Sequence, residues 1–412
     1  MNGGPTDTHR TAWPAVFACF CLAVFAWTFG FYGQAVFLAE LQRQNGWSAS
    51  LVSSATTTYY LVGAVALAFV PEAIERFGRR PAILAGMAAL AGGAALLPAV
   101  ASVPALYGAH LLMAAGWALT SGIAITASLA PWFGRRRGLA ISLALNGASA
   151  AGFTTVPLLI QLTVTFGFAD GLWLMATILL ALAVPVILFG LREPGAAWLA
   201  RERDGGAAGS AEAAELAAAR PAPASRAEAL RDRRFWLAAM PFALGLVAQV
   251  GFIVHQVALL PRLGPEGTGF AVALTTIAAL VGRIAVSVVI DRLDRRAVTA
   301  ASFAVQAASL GALLLVPSDP VAYVACFTFG LSVGNAITLP ALVVLDEYAP
   351  ASFGLVVGLV TATNQFLYAF GPVLLGLLHD ATGGYTFPLL ACMALELAAA
   401  ALAVAGRPKP TR

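Results

Sequence analysis

Long runs of apolar residues recur along the chain, and short polar segments separate them. A helix needs about 20 consecutive apolar residues to cross the hydrocarbon core of a bilayer. Runs that reach or approach this length lie at 13–39, 49–70, 82–101, 104–131, 138–163, 171–191, 234–260, 268–290, 297–316, 320–344, 353–378 and 385–406. The pattern therefore predicts an all-α polytopic membrane protein with twelve transmembrane helices.

Composition supports this prediction and narrows the function classes. Of the 412 residues, 60% are hydrophobic and 11% are charged, whereas soluble domains carry about 25% charged residues. A soluble enzyme is therefore excluded, and no catalytic residue is proposed. The cysteines and histidines are dispersed without the spacing of metal ligands, and the sequence contains no Gly-rich phosphate loop. We expect no metal, no cofactor and no ATP-driven pump.

Basic residues mark one side of the predicted membrane. With the N-terminus placed inside, the cytoplasmic segments hold all of the 24 Lys and Arg residues except Arg43, Arg262 and Arg283. Cytoplasmic loops of membrane proteins carry such an excess of positive charge, so both termini are predicted to be cytoplasmic. Position thus explains the net charge of +4 better than a nucleic-acid partner does, and no nucleic-acid binding is expected.

The predicted helices fall into two groups of six. The one long loop, 192–233, is rich in Ala, Glu and Arg and is interrupted by Gly and Pro, a composition typical of linkers. It divides the chain into an N-terminal six-helix bundle (1–191), a cytoplasmic linker (192–233) and a C-terminal six-helix bundle (234–412).

The two halves resemble each other in sequence. The cluster Glu75-Arg76-Phe77-Gly78-Arg79-Arg80 and the cluster Asp291-Arg292-Leu293-Asp294-Arg295-Arg296 are 216 residues apart, and Gly138-Leu139 precedes Gly354-Leu355 by the same offset. Two matches at one offset indicate a duplicated six-helix unit. In such pseudo-symmetric bundles the polar pathway lies at the interface of the repeats.

The segment between the second and third predicted helices carries a family resemblance. This segment, "PEAIERFGRRPA" at 71–82, resembles the signature G-x-x-x-D-R-x-G-R-R of the major facilitator superfamily. Pro71 stands where the signature has Gly, and Glu75 replaces its Asp. The resemblance covers nearly the whole chain, and it implies the fold of that superfamily and transport by alternating access.

The two charged clusters predict a conformational gate at the cytoplasmic face. Opposite charges there would hold the inner ends of the helices together while the outer face is open. The predicted gate residues are Glu75, Arg76, Gly78, Arg79, Asp291 and Arg292. Simple anchoring by positive charge would explain the arginines, but it would not explain acidic residues at matching positions.

Three further stretches narrow the resemblance to the monocarboxylate transporter and oxalate:formate antiporter group. They are "FGFYGQAVFLAELQRQNGWSASLVSS" at 29–54, "WFGRRRGLAISLALNGASAAG" at 132–152 and "EALRDRRFW" at 228–236. The last of these is similar to bacterial members, which implies a location in the bacterial inner membrane. The resemblance also implies that His255 and Arg283 contact the carboxylate of the substrate. The chain departs from the group in lacking a Tyr near Gly122, an Asn at Ala279 and a basic residue near Asn364.

Arg283 is the most unusual residue of the predicted spans. It lies in "LVGRIAVSVVIDRLDRR", residues 280–296, eight residues before Asp291, which places it roughly 12 Å from the cytoplasmic face. An arginine at such depth costs ~2.5–3.5 kcal/mol on insertion scales, so it should face a partner or a cavity. One alternative is a structural ion pair with Glu396. The other, which we favour, is that its planar guanidinium binds the carboxylate of the substrate.

The other candidate site residues are polar side chains within predicted helices. His255 is either an interfacial histidine that a backbone carbonyl satisfies, or a residue that binds substrate and carries a proton. Further predicted substrate contacts are Asn364, Tyr368, Gln34, Tyr32, Asn146, Asn335 and Tyr59. Each of these side chains could instead join neighbouring helices. The segment "NGASAAG", which ends at Gly152, is typical of close helix packing.

The leading hypothesis is a secondary active transporter that moves a small organic monoanion (a monocarboxylate) by alternating access and proton symport. The alternative is an efflux antiporter for amphipathic or other small organic compounds. Cation exporters usually need a buried carboxylate, and the predicted cavity helices hold no Asp or Glu away from their ends. The expected partners are a carboxylate substrate, protons and the lipid bilayer, and the protein is expected to be a monomer.

Overall fold

The computed structural model describes residues 12–133, 137–191, 225–348 and 352–407. For a few residues inside these ranges the backbone alone is described, namely Arg137, Gly138, Asp291, Ile337 and Gly354. The described backbone is helical almost throughout. The predicted all-α fold is therefore confirmed.

The main helices are numbered here in chain order. They are α1 (Trp13–Asn45), α2 (Ala49–Leu67), α3 (Arg79–Ala99), α4 (Val103–Leu129), α5 (Leu139–Phe166), α6 (Phe168–Gly190), α7 (Arg233–Leu259), α8 (Pro261–Val289), α9 (Arg295–Leu315), α10 (Asp319–Glu347), α11 (Phe353–Tyr368), α12 (Gly371–Thr382) and α13 (Thr386–Ala405). Two short helices, Val70–Phe77 and Arg226–Arg231, precede α3 and α7.

Most of these helices are long and apolar enough to cross a membrane. Within the described ranges this holds for 11 of them, all except α11 and α12. The predicted run 353–378 forms these two consecutive helices, which a turn at Ala369-Phe370 separates. Pro372 accounts for the break, because it has no N–H for the carbonyl of Tyr368 and its ring clashes with that carbonyl. The number of twelve spans and the cytoplasmic location of the termini stay predictions.

Two of the spans contain a wide π-helical turn. One is Thr28–Tyr32 in α1, and the other is Ala151–Thr155 in α5. The buried hydroxyls of Thr28 and Thr155 share a hydrogen bond, so the two turns pack against each other. Tyr32, a predicted substrate contact, therefore lies in an irregular turn of a kind that is frequent at functional sites.

The helices pack into two compact units. Unit 1 comprises Met1–Gln34 and Val62–Ala219, and unit 2 comprises Ala35–Leu61 and Arg220–Arg412. The end of α1 and the first part of α2 thus pack with the later helices of the chain. The sequence-based division into 1–191, 192–233 and 234–412 stays a prediction, and most of the linker lies outside the described residues.

Glycines in unit 1 allow neighbouring helices to touch backbone to backbone. Gly147 of α5 lies against Phe20 of α1, where a Cβ would overlap the Phe20 carbonyl oxygen and lie 2.9 Å from the Cβ of Ala23. Gly116 of α4 lies in the same way against the backbone of Leu90 on α3. For Gly147 this confirms the predicted role of "NGASAAG" in close helix packing.

The core of unit 2 is built from aromatic rings and small residues of α7, α9, α10 and α13. Phe242 and Phe303 meet edge to face with ring centroids 5.9 Å apart, and Ala399 is buried beside them. Glu396, one turn before Ala399, is fully buried, and among the described residues neither of its carboxylate oxygens has a hydrogen-bond partner. The structural ion pair between Glu396 and Arg283 is therefore not formed.

Two arginines at one end of unit 2 join α9 to the end of α10. Arg296 is almost fully buried. Its guanidinium binds the Glu347 carboxylate through two nitrogens, and Nη2 donates to Oε2 at 2.7 Å. The third nitrogen, Nη1, donates to the Leu237 carbonyl at 2.9 Å. Arg295 pairs with the exposed Asp346 at 2.6 Å. The sequence indicated a basic cluster at this place, and the structure gives two of its members specific partners.

We expect Gly147→Ala to destabilise unit 1, because the added methyl group would push α1 and α5 apart. Overpacking of this kind costs about 1–3 kcal/mol. Gly92→Ala on α3 is a matched control, since nothing lies within 4 Å of a Cβ there and alanine is the better helix former. Thermal unfolding in detergent should show a lower transition temperature for Gly147→Ala than for wild type. Equal transitions for the two variants would contradict the packing role.

We expect Arg296→Ala to destabilise unit 2 by about 3–5 kcal/mol, because its loss leaves a buried carboxylate without a counter-charge. The side chain of Glu347 is 17% exposed, whereas that of Asp346, the partner of Arg295, is 54% exposed. The control Arg295→Ala should therefore cost about 1 kcal/mol or less. Thermal unfolding compares the two variants. Equal losses would show that burial of the pair is not the cause.

Candidate functional site

Arg283 lies at a close backbone approach of α8 and α10. Gly334 forms a turn within α10, and a Cβ at Gly334 would lie 3.0 Å from the Cβ of Arg283 and overlap the carbonyl oxygen of Ala279. The next residue, Asn335, is buried, and its Nδ2 donates to the hydroxyl of Ser302 at 3.3 Å. Its Oδ1 accepts no hydrogen bond from the described residues. Asn335 thus follows the glycine that meets Arg283, and its amide bonds α9.

A second group of predicted residues meets on α2 and α11. Tyr368 is half-buried, and its ring meets that of Tyr60 edge to face at a centroid distance of 5.7 Å; the ring of Tyr60 lies 5.0 Å from that of Tyr59. Asn364, one turn before Tyr368, is buried, and its Oδ1 has no hydrogen-bond partner within the described ranges. This group combines aromatic surface with an amide oxygen inside unit 2.

Three of the predicted contacts belong to unit 1. Gln34 is buried on α1, and its Nε2 donates to the carbonyl of Phe29 at 3.3 Å. Tyr32 is buried, and its ring packs edge to face on Phe31 at 5.0 Å. Asn146 is half-buried on α5. Their role in substrate binding stays a prediction.

His255 is fully buried near the end of α7, and both of its ring nitrogens have partners. Nε2 lies 3.0 Å from the carbonyl oxygen of Pro372 and 3.0 Å from the hydroxyl of Ser53, and Nδ1 lies 3.1 Å from the hydroxyl of Tyr385. A carbonyl oxygen can only accept, so the contact with Pro372 assigns a proton to Nε2. In the neutral ring Nδ1 then accepts from Tyr385. His255 thus joins α7 to α2, α12 and the start of α13.

Arg283 and His255 lie at different depths of unit 2. The helices α7 and α8 are consecutive spans joined by a short connection, so they run in opposite directions. His255 lies four residues before the end of α7, about 6 Å along its axis, whereas Arg283 lies 19 residues after Gly264, about 28 Å along α8. A small carboxylate cannot contact both side chains at once. The two residues therefore do not form one carboxylate site in this structure.

Asp380, which sequence reasoning did not single out, binds the start of α2. Its Oδ1 accepts from the N–H of Ala49 at 3.1 Å and its Oδ2 from the N–H of Ser50 at 2.7 Å, while Nδ1 of His379 lies 3.2 Å from Oδ1. Asp380 lies beyond the predicted span 353–378. Burial raises the pKa of its carboxyl, but the hydrogen bonds from Ser50, His379 and Ala49 outweigh this and lower the pKa to about 2. The carboxylate therefore stays ionised at physiological pH.

The predicted cytoplasmic gate residues are dispersed over both units. Glu75 and Arg76 are exposed on the short helix Val70–Phe77. Gly78 ends that helix with a φ of 85°, a conformation that glycine adopts most readily, and Arg79 begins α3. In unit 2, Arg292 is exposed in a turn, and the side chain of Asp291 lies outside the described atoms. The gate stays a prediction.

Comparisons with known proteins agree with this architecture. The sequence matches the family described as Major Facilitator Superfamily over residues 18–264 and 262–412. The fold is similar to that of a solved protein titled "Crystal structure of D-xylose-proton symporter", with a TM-score of 0.71, 12% sequence identity, and coverage of 96% of this chain and 99% of that chain. No curated protein matches the chain in sequence. Since the family match covers almost the entire chain, the protein is a multi-pass membrane transporter that belongs to the Major Facilitator Superfamily.

Proposed function

We propose that the protein is a secondary active transporter of the bacterial inner membrane that carries a small organic monocarboxylate by alternating access. Its proposed place is within the monocarboxylate transporter and oxalate:formate antiporter group. The observation that carries the proposal is a permanent positive charge, Arg283, in the apolar span α8. An arginine in a span faces a partner or a cavity, and a transported anion is a ligand whose charge complements it.

The chemistry of Arg283 favours a carboxylate over a neutral substrate. A guanidinium presents parallel N–H donors that match the two oxygens of a carboxylate, and it does not lose its charge at any physiological pH. Arg283 is half-buried within the span α8. Glu396, the acidic residue considered as its structural partner, accepts no hydrogen bond from the described part of the chain.

Other candidate residues have chemistry that suits the remainder of a small organic anion. The amide oxygens of Asn335 and Asn364 are acceptors without a described donor, and they could accept a hydroxyl group of the substrate. The rings of Tyr59, Tyr60 and Tyr368 offer apolar surface. Tyr32, Gln34 and Asn146 are proposed further contacts on the same basis as in the sequence analysis.

Proton coupling follows from the charge of the proposed substrate. A monoanion that enters alone moves a negative charge against an inside-negative potential, at ~2.3 kcal/mol per 100 mV. A proton carried with it removes this penalty, so we propose electroneutral symport. The proton would travel on the substrate's own carboxylate or on His255. A second proton on His255 would sit on Nδ1, 3.1 Å from the Tyr385 oxygen, which can also accept.

One observation supports the second candidate, an efflux antiporter for amphipathic or other small organic compounds. Transporters of cationic compounds need a buried acid, and Glu396 is a fully buried carboxyl within the span α13. However, it lies on the same buried face of α13 as Cys392 and Ala399, and Ala399 belongs to the apolar core of unit 2. The monocarboxylate proposal is therefore preferred, and Glu396 serves to separate the two.

We expect Arg283→Ala to abolish carboxylate uptake while the protein still folds. A charge-assisted hydrogen bond contributes about 1.5–3 kcal/mol, so affinity should fall at least tenfold. Arg283→Lys should recover little, because a point charge cannot replace the planar fork. Uptake of acetate, lactate and pyruvate into proteoliposomes measures the effect.

The matched variant Glu396→Gln should retain uptake. Normal uptake by Arg283→Ala would overturn the anion site, and loss of amine export in Glu396→Gln would favour the antiporter.

We expect His255→Gln to flatten the pH dependence of uptake while exchange of labelled for unlabelled substrate continues. Glutamine can still donate to the Pro372 carbonyl but cannot take up a proton. His110→Gln is a matched control, since His110 is also fully buried and bonds a backbone carbonyl, but lies on α4. Initial rates are measured at several external pH values. A profile like that of wild type would leave the substrate's carboxylate as the proton carrier, and uptake independent of the proton gradient would contradict symport.

A further inference from the structure

The N-terminus of α2 is completed by a residue from the far end of the chain. The first four N–H groups of a helix have no partner within it. The hydroxyl of Ser48, the residue before α2, accepts from the N–H of Leu51. The N–H groups of Ala49 and Ser50 donate to the carboxylate of Asp380 on α12. One ionised side chain thus satisfies two of the N–H groups that the helix itself leaves without a partner.

Electrostatics makes this contact stronger than two neutral hydrogen bonds. The aligned peptide dipoles give a helix N-terminus a partial positive charge, which attracts an anion. The other ionisable groups that face Asp380 are His379 beside it, and Tyr385, whose ring lies 4.6 Å from that of His379. His255 approaches the same Tyr385 hydroxyl from α7. No second carboxylate faces Asp380 among the described contacts, so nothing there opposes its charge.

The backbones of α2 and α12 touch one turn away from Asp380. At Gly376 a Cβ would lie 2.8 Å from the carbonyl oxygen of Ala49 and 2.8 Å from the Cα of Ser50. Any side chain at this position would hold the start of α2 away from α12. Gly376 therefore provides the close approach that brings Asp380 within hydrogen-bond distance of both N–H groups.

A third contact continues the same connection one turn along α2. The hydroxyl of Ser53 lies 3.0 Å from Nε2 of His255 on α7, and this nitrogen also meets the Pro372 carbonyl on α12. All three contacts lie inside unit 2, yet α2 continues into unit 1 after Leu61. These contacts therefore hold the first part of α2, which is the part of that helix that packs in unit 2.

We propose that Asp380, Gly376 and the start of α2 form a latch that closes the transport path at the face predicted to be extracellular. The proposal rests on the proposed function in one respect, which is alternating access. In that cycle one repeat rocks against the other, so the first part of α2 must leave α12 whenever this face opens. The latch residues do not bind the substrate. They set the fraction of molecules in which this face is closed when no substrate is present.

Two variants weaken the latch by independent means. Asp380→Asn removes the charge and puts an NH2 group where one oxygen accepts, while Gly376→Ala inserts a methyl group between α2 and α12. Each has a matched control. Asp319→Asn alters another acidic residue at a helix start, one that pairs with Arg262 at 3.6 Å, and Gly384→Ala adds a methyl group where nothing lies within 4 Å.

Distance measurements between spin labels test the latch without a substrate. Labels are placed at Gln44→Cys and Ala381→Cys, both exposed positions, in a background without the four native cysteines. We expect Asp380→Asn and Gly376→Ala each to raise the ratio of long to short distances roughly two- to tenfold, the equivalent of one net hydrogen bond. The two controls should match wild type.

The outcomes separate the latch from the substrate proposal. Distances like those of wild type in both latch variants would overturn the latch, whatever the protein transports. A shift in Gly376→Ala alone would leave a steric contact without a role for the Asp380 charge, and this also overturns the proposal. Shifted distances in a protein that fails to transport acetate, lactate or pyruvate would support the latch and reject the monocarboxylate proposal.

Discussion

The bilayer requires that every backbone N–H and C=O within it finds a partner inside the protein, and the structure depends on this constraint. Continuous helices meet it without help from side chains, which is why the described chain is almost entirely helical. Departures from the regular helix need a compensating reason. Within the described helices and their junctions they occur at Thr28–Tyr32, at Ser121, at Ala151–Thr155, at Gly334 and at Ala369-Phe370. Three of these five lie at or next to a candidate site residue, namely Tyr32, Asn335 and Tyr368. Irregular backbone at membrane depth is tolerated where it lines a water-filled path or is buried in protein, so these breaks support the choice of candidates.

The same constraint governs how the protein handles charge. Arg296 and Glu347 form a pair with bidentate geometry, and a carbonyl from α7 satisfies a further donor of the guanidinium. Glu396 has no described donor, and an ionised carboxylate without one is far more costly to bury than a protonated one. Arg283 differs from Glu396, because its charge cannot be neutralised by loss of a proton. A charge of this kind in a membrane span is either paired or functional. This difference in chemistry, rather than position alone, makes Arg283 the best indicator of substrate class.

Much of the helical framework could be predicted from the sequence, because membrane spans are defined by local composition. The fold and the packing role of Gly147 required no knowledge of distant contacts. The separation of Arg283 from His255 was also within reach, since counting residues from their shared connection gives their depths. The contacts of Asp380 could not be foreseen. An acidic residue at the end of one helix does not indicate which distant helix start it will cap, and Asp380 and Ser50 are 330 residues apart. Likewise, the basic cluster 291–296 gave no sign that Arg296 would be buried against α10.

Two segments of the chain, α2 and the pair α11 and α12, each carry both residues of the proposed latch and candidate site residues. Along α2, the residues that Asp380 holds are Ala49 and Ser50, and Tyr60 follows about 15 Å further along the helix axis. Along α11 and α12, Tyr368 precedes Asp380 by a similar length. The Tyr60–Tyr368 ring contact is therefore a second link from α2 to the late helices, in this case to α11. Movement of α2 away from α12 at the latch must also alter the packing of these rings, since a helix is stiff over three turns. Under the proposed function, a substrate that packs against Tyr368 would thus change the strength of the proposed latch without touching it.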